Sequence, residues 1–566
     1  MISRHLHLIL AVVSVALTLL IAGPSQAQLH DVLVEPNNVV YSSTTEIQDG
    51  SEHMLVASTI SNEATENSLP QVRISRVKTD GSIDWEKDYA QETGWRAAHV
   101  MDIGNDTGVL IGVHPSLVNT GATRSIVMTF DLTTGAVLAT AEIKENVGAN
   151  ASEKGLVLIH GVYRNDKLAL TGWLGGTSGL QLNEQRVAVL VEIDVPDASQ
   201  TSITPNWTHA IDSSNNPDGA DYDMGAHVLD VPGIGYFISG SANAFYDNPV
   251  TSGYHQAPLA ALIEYDGTQA WSKVTPYWYP GEGDNEPIVA QNQRHAVASC
   301  AAVLNAAGPN NPNQLSLVQT VNWVRNRGLT TLHYHIDGSA VEARGLHLDG
   351  AYTNPGAETS LKGYSMYRRI NANSDTEVII AGYVNDPEYL DRDPDTDEKD
   401  RVPFLMAVEL TGTVTADYLI DHTIYAGSPS TNYGDDFGIH AANSQQGQQP
   451  IIFHPEMMDL REAALGYGLI GHRRTHDIPT VFDPSIIHVN SAGTDVFGGL
   501  PGCIEFTHPM TLEVPEVAPF SPFIEDINLT GAPIPMDTST PSTTPTPCDE
   551  YATCDVNLTY SLVAWE

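Results

Sequence analysis

Residues 74–85, ISRVKTDGSIDW, alternate apolar and polar positions, break at Asp80-Gly81 and resume with Ile83 and Trp85. Alternation of period two is the mark of a half-buried strand, and Asp-Gly between two such runs is a hairpin turn. The pattern returns as SIVMTFDLTTGAVL at 125–138, VAVLVEIDVPDAS from 187, LAALIEYDGTQAW at 259–271 and TLHYHIDGSAV at 331–341. FLMAVELTGTVT at 404–415 and SIIHVNSAGTDVF at 485–497 complete the series. With the first copy there are seven, spaced on average about 69 residues apart.

A second motif precedes each copy, a short apolar strand often ending in Gly or another small residue. Examples are HMLVASTI at 53–60, GVLIGVHP at 108–115, KLALTGWLG at 167–175 and GYFISGSA at 235–242, continued by SLVQTVNW at 316–323 and EVIIAGYVN at 377–385. The seventh copy has two candidates, ALGYGLIGH at 464–472 and PIIFHPEMM at 450–458. Several units carry one more strand ahead of these, such as AAHVMDI at 97–103 and GAHVLDV at 225–231. Four short strands per unit describe a β-meander. The spacing is too long for a solenoid rung and too even for unrelated sandwiches, whereas radial packing buries both faces of every sheet. The sequence therefore predicts an all-β chain whose residues 28–500 form a β-propeller, with seven four-stranded blades as the count and six or eight as alternatives.

Residues 501–566 read differently, as a short cysteine-containing β tail. PMDTSTPSTTPTP at 535–547 favours extended chain over a packed core. The terminal CDVNLTYSLVAWE alternates like a strand and is a candidate to pair with HDVLVE near the start and close the ring, with a loose tail as the alternative.

The first 27 residues change the setting. Arg4 precedes an apolar run of 14 residues, Leu8 to Ile21, followed by Gly23-Pro24 and the small-x-small triplet Ser25-Gln26-Ala27. This is the pattern of a signal peptide cleaved after Ala27, and the run is shorter than the roughly 20 residues a membrane span requires. No later stretch is apolar enough to span a bilayer, so the mature chain is expected to be secreted, extracellular or at the cell surface, with no transmembrane segment. The net charge of −43, on a chain with 69 Asp+Glu and 26 Lys+Arg, repels nucleic acid and anionic lipid. Four cysteines in an exported chain, Cys300, Cys503, Cys548 and Cys554, are disulfide candidates with three possible connectivities.

Alternating Asp-Gly…Trp hairpins and Gly-ended apolar strands are similar to the propeller-type repeats of secreted bacterial proteins, notably extracellular cargo of the Bacteroidota type. The tail from Cys503 to Cys548 is similar to tails in that group. The resemblance implies a surface or extracellular protein, commonly without assigned activity, and supplies no functional residues; a terminal sorting domain, usual in such cargo, is not evident. FDLTTGAVLA at 130–139 resembles the hairpin of pyrroloquinoline-quinone-type propellers, but the vicinal cysteines of those dehydrogenases are missing. TDGSIDW departs from the sialidase-type Asp-box in both of its spacings.

Candidate chemistry is sparse. Asp391, Asp393, Asp395 and Asp397 in DRDPDTDEKD alternate as Ca²⁺ ligands can, with Pro394 and Thr396 where an EF-hand loop would need freedom and a glycine. They are candidates for a weak Ca²⁺ site, with a solvated acidic loop as the alternative. His333 and His335 have the two-residue spacing of a strand-borne metal pair, and His472 and His476 are four apart; solvated histidines are the expectation for all four. No nucleophile-elbow, zincin or phosphate-loop motif occurs. The chain reads as a non-enzymatic propeller that binds a protein or glycan or serves structurally; the alternative is a secreted polysaccharide hydrolase or lyase with its site at the channel mouth.

Overall fold

In the computed structural model the described residues lie between Leu29 and Thr540; 279–295, 304–314, 386–400, 420–466, 474–482, 490–509, both ends and several shorter connections lie outside the description. Every element among the described residues is a β-strand, and no described helix is long and apolar enough to cross a membrane.

After β1 (Leu29–Leu33), the chain builds one antiparallel meander after another. Sheet 1 holds β2 (Val39–Glu46), β3 (Met54–Ile60), β4 (Gln71–Val77) and β5 (Ile83–Ala90). Sheet 2 holds β6 (Arg96–Asp102), β7 (Thr107–His114), β8 (Arg124–Asp131) and β9 (Val137–Glu145). Sheet 3 is made of β10 (Gly155–Arg164), β11 (Lys167–Gly175), β12 (Arg186–Asp194) and β13 (Trp207–Asp212). Sheet 4 has β14 (Met224–Val231), β15 (Gly235–Tyr246), β16 (Gly253–Glu264) and β17 (Gln269–Val274), after which comes the two-residue β18 (Tyr277–Trp278). Sheet 5 has β19 (Ala296–Val303), β20 (Leu315–Trp323), β21 (Leu329–His335) and β22 (Val341–Leu348). Sheet 6 has β23 (Ser360–Ile370), β24 (Thr376–Asn385), β25 (Arg401–Glu409) and β26 (Val414–Leu419). In the last sheet β27 (Tyr467–Arg473) pairs with β28 (Asp483–Val489), and β1 adds the outer strand, Leu29 facing Val489. The segment HDVL near the start thus has β28 as its described partner, while 541–566, including the strand expected to join it, lies outside the description.

The first strands of sheets 1 to 6 lie against one another in series, β2 on β6, β6 on β10, β10 on β14, β14 on β19 and β19 on β23, and β27 lies against β2. The apolar core sits between sheets. Ile74, Tyr89, Val100, Leu110 and Phe130 join sheets 1 and 2. Ile111, Val127, Leu158 and Leu170 join sheets 2 and 3, and Phe237, Trp271, Leu332 and Tyr334 join sheets 4 and 5. Each seam buries one apolar face of either sheet, and a sheet with a seam on both sides, such as sheet 2, is buried along the whole of its inner strands.

The repeated hairpin explains itself at these seams. In EYDGT, Gly267 N–H donates to the Glu264 carbonyl and Glu264 N–H to the Thr268 carbonyl, closing a turn whose glycine takes a φ of 86°. The Asp266 carboxylate accepts from Thr268 N–H at 2.8 Å, which holds its pKa below the usual carboxylate value. The tryptophan of the preceding sheet then covers the turn. Trp85 Nε1 donates to the Leu132 carbonyl at 2.9 Å, Trp207 Nε1 to that of Tyr265 at 3.2 Å and Trp271 Nε1 to that of Ile336 at 2.9 Å. A Cβ on Gly135, Gly267 or Gly338 would stand 2.8, 2.8 and 2.6 Å from these rings. Sheet 3 has DVPDAS in place of the glycine turn, and the strand position facing it on sheet 2 is Ala139.

The tail runs back over the outer edges in reverse order. β29 (Met510–Glu513) pairs with β22, β30 (Glu516–Val517) with β18, β31 (Phe523–Glu525) with β13, β32 (Leu529–Pro533) with β9 and β33 (Asp537–Ser539) with β5. Sheets 1, 2, 3 and 5 thereby have five strands. The first residues of the Pro/Thr-rich stretch are therefore an edge strand, with Met536 packed on the sheet 1–2 core.

Trp271, 8% exposed and stacked 5.6 Å from Tyr334, is expected to cost about 3–5 kcal/mol when changed to Ala. Gly338→Ala, at a φ of 67° and against the same indole, is expected to cost about 1–3 kcal/mol. Leu138→Ala, at 45% exposure, is the control and stays within about 0.5 kcal/mol. Urea denaturation monitored by tryptophan fluorescence and circular dichroism checks the order.

Candidate functional site

Each first strand from sheet 1 to sheet 6 breaks its register once, at one equivalent place. The breaks fall between Tyr41 and Ser43, Ala97 and His99, Leu158 and His160, Gly225 and His227, Ala298 and Cys300, and Gly363 and Ser365. A bulge removes a backbone group from its own ladder and re-aims the next side chain. The residues after the bulges, Ser43, His99, His160, His227, Cys300 and Ser365, form a polar series on successive strands.

The side chains described there satisfy backbone on the neighbouring strand. Val100 N–H donates to Ser43 Oγ at 3.1 Å, and Val228 N–H donates to His160 Nδ1 at 3.3 Å. Ser43 Oγ also lies 3.1 Å from His99 Nδ1. With Nδ1 accepting from Val228, a neutral His160 carries its proton on Nε2. The three imidazoles stack, His99 on His160 with centroids 4.0 Å apart and His160 on His227 at 3.8 Å, tilted by 30° and 38°. His99 and His160 are 8% and 5% exposed. Burial, reinforced by the rings of His227 and His99, holds the pKa of His160 well below the ordinary histidine value. At neutral pH the middle of the stack is uncharged.

This arrangement serves hydrogen bonding and stacking better than metal binding, because two Nδ1 atoms are already engaged. Among the described residues no group of three His, Cys, Asp or Glu is placed to hold a metal ion. Buried carboxylates lie elsewhere in the sheets and are matched. Glu192, 1% exposed, accepts from Lys167 Nζ at 2.9 Å, Tyr236 OH at 2.8 Å and Asn206 Nδ2 at 3.2 Å. Burial alone would raise the pKa of Glu142, but His114 at 3.3 Å and Arg124 at 2.8 Å hold it below the usual carboxylate value. Asp230 is pushed up by burial, outweighing a hydrogen bond from Tyr265 OH and the Arg164 guanidinium 3.6 Å away. Its contacts are a phenol and a guanidinium, with Arg164 lying 3.4 Å over the Tyr265 ring.

The residues singled out in the sequence are not gathered at one place. His333, expected to be solvated, is 2% exposed, and its Nε2 lies 3.0 Å from Thr331 Oγ1. It occupies the strand position at which sheet 1 buries Arg76, which donates to the Leu132 carbonyl at 3.0 Å, so the position is polar but enclosed. His335 is half-buried. Cys300 lies in β19 and His472 in β27, with their side chains outside the description. Asp391, Asp393, Asp395, Asp397, His476, Cys503, Cys548 and Cys554 lie outside the described residues. The histidine stack was visible only as a register coincidence: AAHVMDI, LIHGVYR and GAHVLDV each place one His inside an apolar run.

No family model matches this chain, and no curated protein matches it. Among solved structures, it is similar to a protein of unknown function from Dyadobacter fermentans DSM 18053, with 8% identity over 83% of this chain and 100% of that one, at a TM-score of 0.35. It is also similar to the GH93 α-L-arabinofuranosidase of Fusarium graminearum, solved with arabinobiose, with 13% identity over 62% of this chain and 92% of that one, at a TM-score of 0.32. Likeness at these scores carries nothing about activity.

The stack has a pH signature. Below about pH 6.5 the unfolded chain protonates His160 while the folded chain does not, so stability falls as pH drops through that value. The slope from this group is at most about 1.4 kcal/mol per pH unit. His160→Gln is expected to flatten the dependence between pH 6.5 and 5 by about one proton, read from denaturation midpoints across that range.

Proposed function

We propose that the successive sheets are the blades of a closed seven-bladed β-propeller, and that the exported chain is an extracellular or surface protein that binds a glycan or a protein without a catalytic step. The serial contacts of the first strands, with β27 against β2, support the ring. The observation that carries the functional half is the stack of His99, His160 and His227. It fills the middle of three adjacent first strands with imidazoles engaged in stacking, His160 also accepting from Val228 N–H and His99 lying against Ser43 Oγ.

A glycosidase would require two carboxylates about 5–9.5 Å apart and held in different protonation states. The buried carboxylates of the sheets lie beside Arg, Lys and Tyr, which keeps Glu142 and Glu192 occupied as structural acceptors. In sheets 1 and 2 the longest connection joins the second strand to the third, at the strand ends opposite the tight turns. That end of the sheets is where a polar ligand would be received. The net charge argues for a ligand that is neutral or basic, and against nucleic acid.

The test is a panel of neutral and acidic polysaccharides, each assayed for retention and for release of reducing ends, with and without Ca²⁺. Binding without product is the expected result. Product released by the purified chain from any member of the panel would replace this reading with the hydrolase or lyase alternative. Projection images showing seven spokes around one axis are expected for the closed ring.

A further inference from the structure

The outer rim carries a second, independent feature. Residues 521–540 touch three sheets in turn, and each of their strands is the outermost member of its sheet. Removing them breaks no other strand pairing. We propose that the edges of β5, β9 and β13 form a strand-accepting rim, that this segment is its resident ligand, and that the rim accepts the same segment from a second copy of the chain when its own is displaced.

Three observations carry this. The pairings are short, three residues for β31, five for β32 and three for β33, so each site is weak alone and the affinity comes from linking them. Apolar anchors mark the seams between sheets. Ile524 packs on the core of sheets 3 and 4, Ile527 and Leu529 on that of sheets 2 and 3, and Ile534 and Met536 on that of sheets 1 and 2. Leu529 is 4% exposed. Finally, Pro522, Pro533 and Pro535 lack the N–H a central strand must donate, so the segment fits a sheet only at its edge. Polar contacts fix its register: Asn146 N–H donates to the Asn528 carbonyl, Gly531 and Ile203 exchange backbone hydrogen bonds, and Thr208 Oγ1 donates to the Ile527 carbonyl. Once the segment leaves, three rows of unpaired backbone groups and the anchor pockets are open. A second copy carries the one sequence already matched to every anchor.

A recognition site for a specific protease placed within residues 518–520 of the full chain allows the segment to be cut after folding, under reductant so that no tail cysteine tethers it. The expected result is release on dilution with the strand signal of the remaining chain retained. A fluorescent peptide of residues 521–540 should then bind the cut chain and not the uncut one, and the same peptide with Leu529→Asp should bind about tenfold more weakly or worse. In a second arm the uncut chain is warmed below its unfolding midpoint and cooled at high concentration, which is expected to give oligomers that excess peptide prevents. A segment that stays bound until the whole chain unfolds, a chain that unfolds on its release, or equal binding of the Leu529→Asp peptide would overturn the rim. Monomer alone in the second arm, with and without peptide, would overturn the exchange.

Discussion

At three seams between neighbouring sheets, an indole is laid over a glycine. Trp85, Trp207 and Trp271 each reach from the last strand of one sheet to the turn of the next, donate to a backbone carbonyl there and occupy the space a Cβ would need. The contact joins two requirements that a sequence reading keeps separate. The glycine is needed for its positive φ and for close approach, and the tryptophan is needed both for its apolar area and for its N–H. Where the turn has no glycine, in DVPDAS of sheet 3, the facing residue is Ala139.

Toward the first strands the same problem is solved by other means. A bulge at one position in each strand frees backbone donors, and polar side chains of the neighbouring strand take them up. The histidine stack arises where three of those side chains are imidazoles. The middle ring, His160, stays neutral because it is buried, and its Nδ1 accepts from Val228 N–H. On the rim, a proline-bearing segment covers the edges of sheets 1, 2, 3 and 5 that would otherwise offer unpaired ladders.

Much of this was legible in the residues. Alternation located the strands, so that GVLIGVHP corresponds to β7, EVIIAGYVN to β24 and SLVQTVNW to β20. Asp-Gly located turns that the structure closes through glycine at positive φ. The interior polar positions were not legible: His333 reads as wet in the sequence, yet it is enclosed, at the strand position where sheet 1 turns Arg76 toward the Leu132 carbonyl of the next sheet. The course of the tail was hidden for the opposite reason. Its prolines read as an absence of strand, whereas proline is compatible with an outermost one.

The pairing of β1 with β28 bears on how the chain reaches this state. Leu29 and Val489 are neighbours in one ladder although almost the whole molecule separates them along the backbone. Such a contact is non-local in the extreme, so its loop closes late and slowly compared with the meanders, which form from adjacent segments. The strand made first is thus the one whose edge waits longest for its mate. That delay keeps the last sheet open until β28, Asp483–Val489, has been made and has met β1.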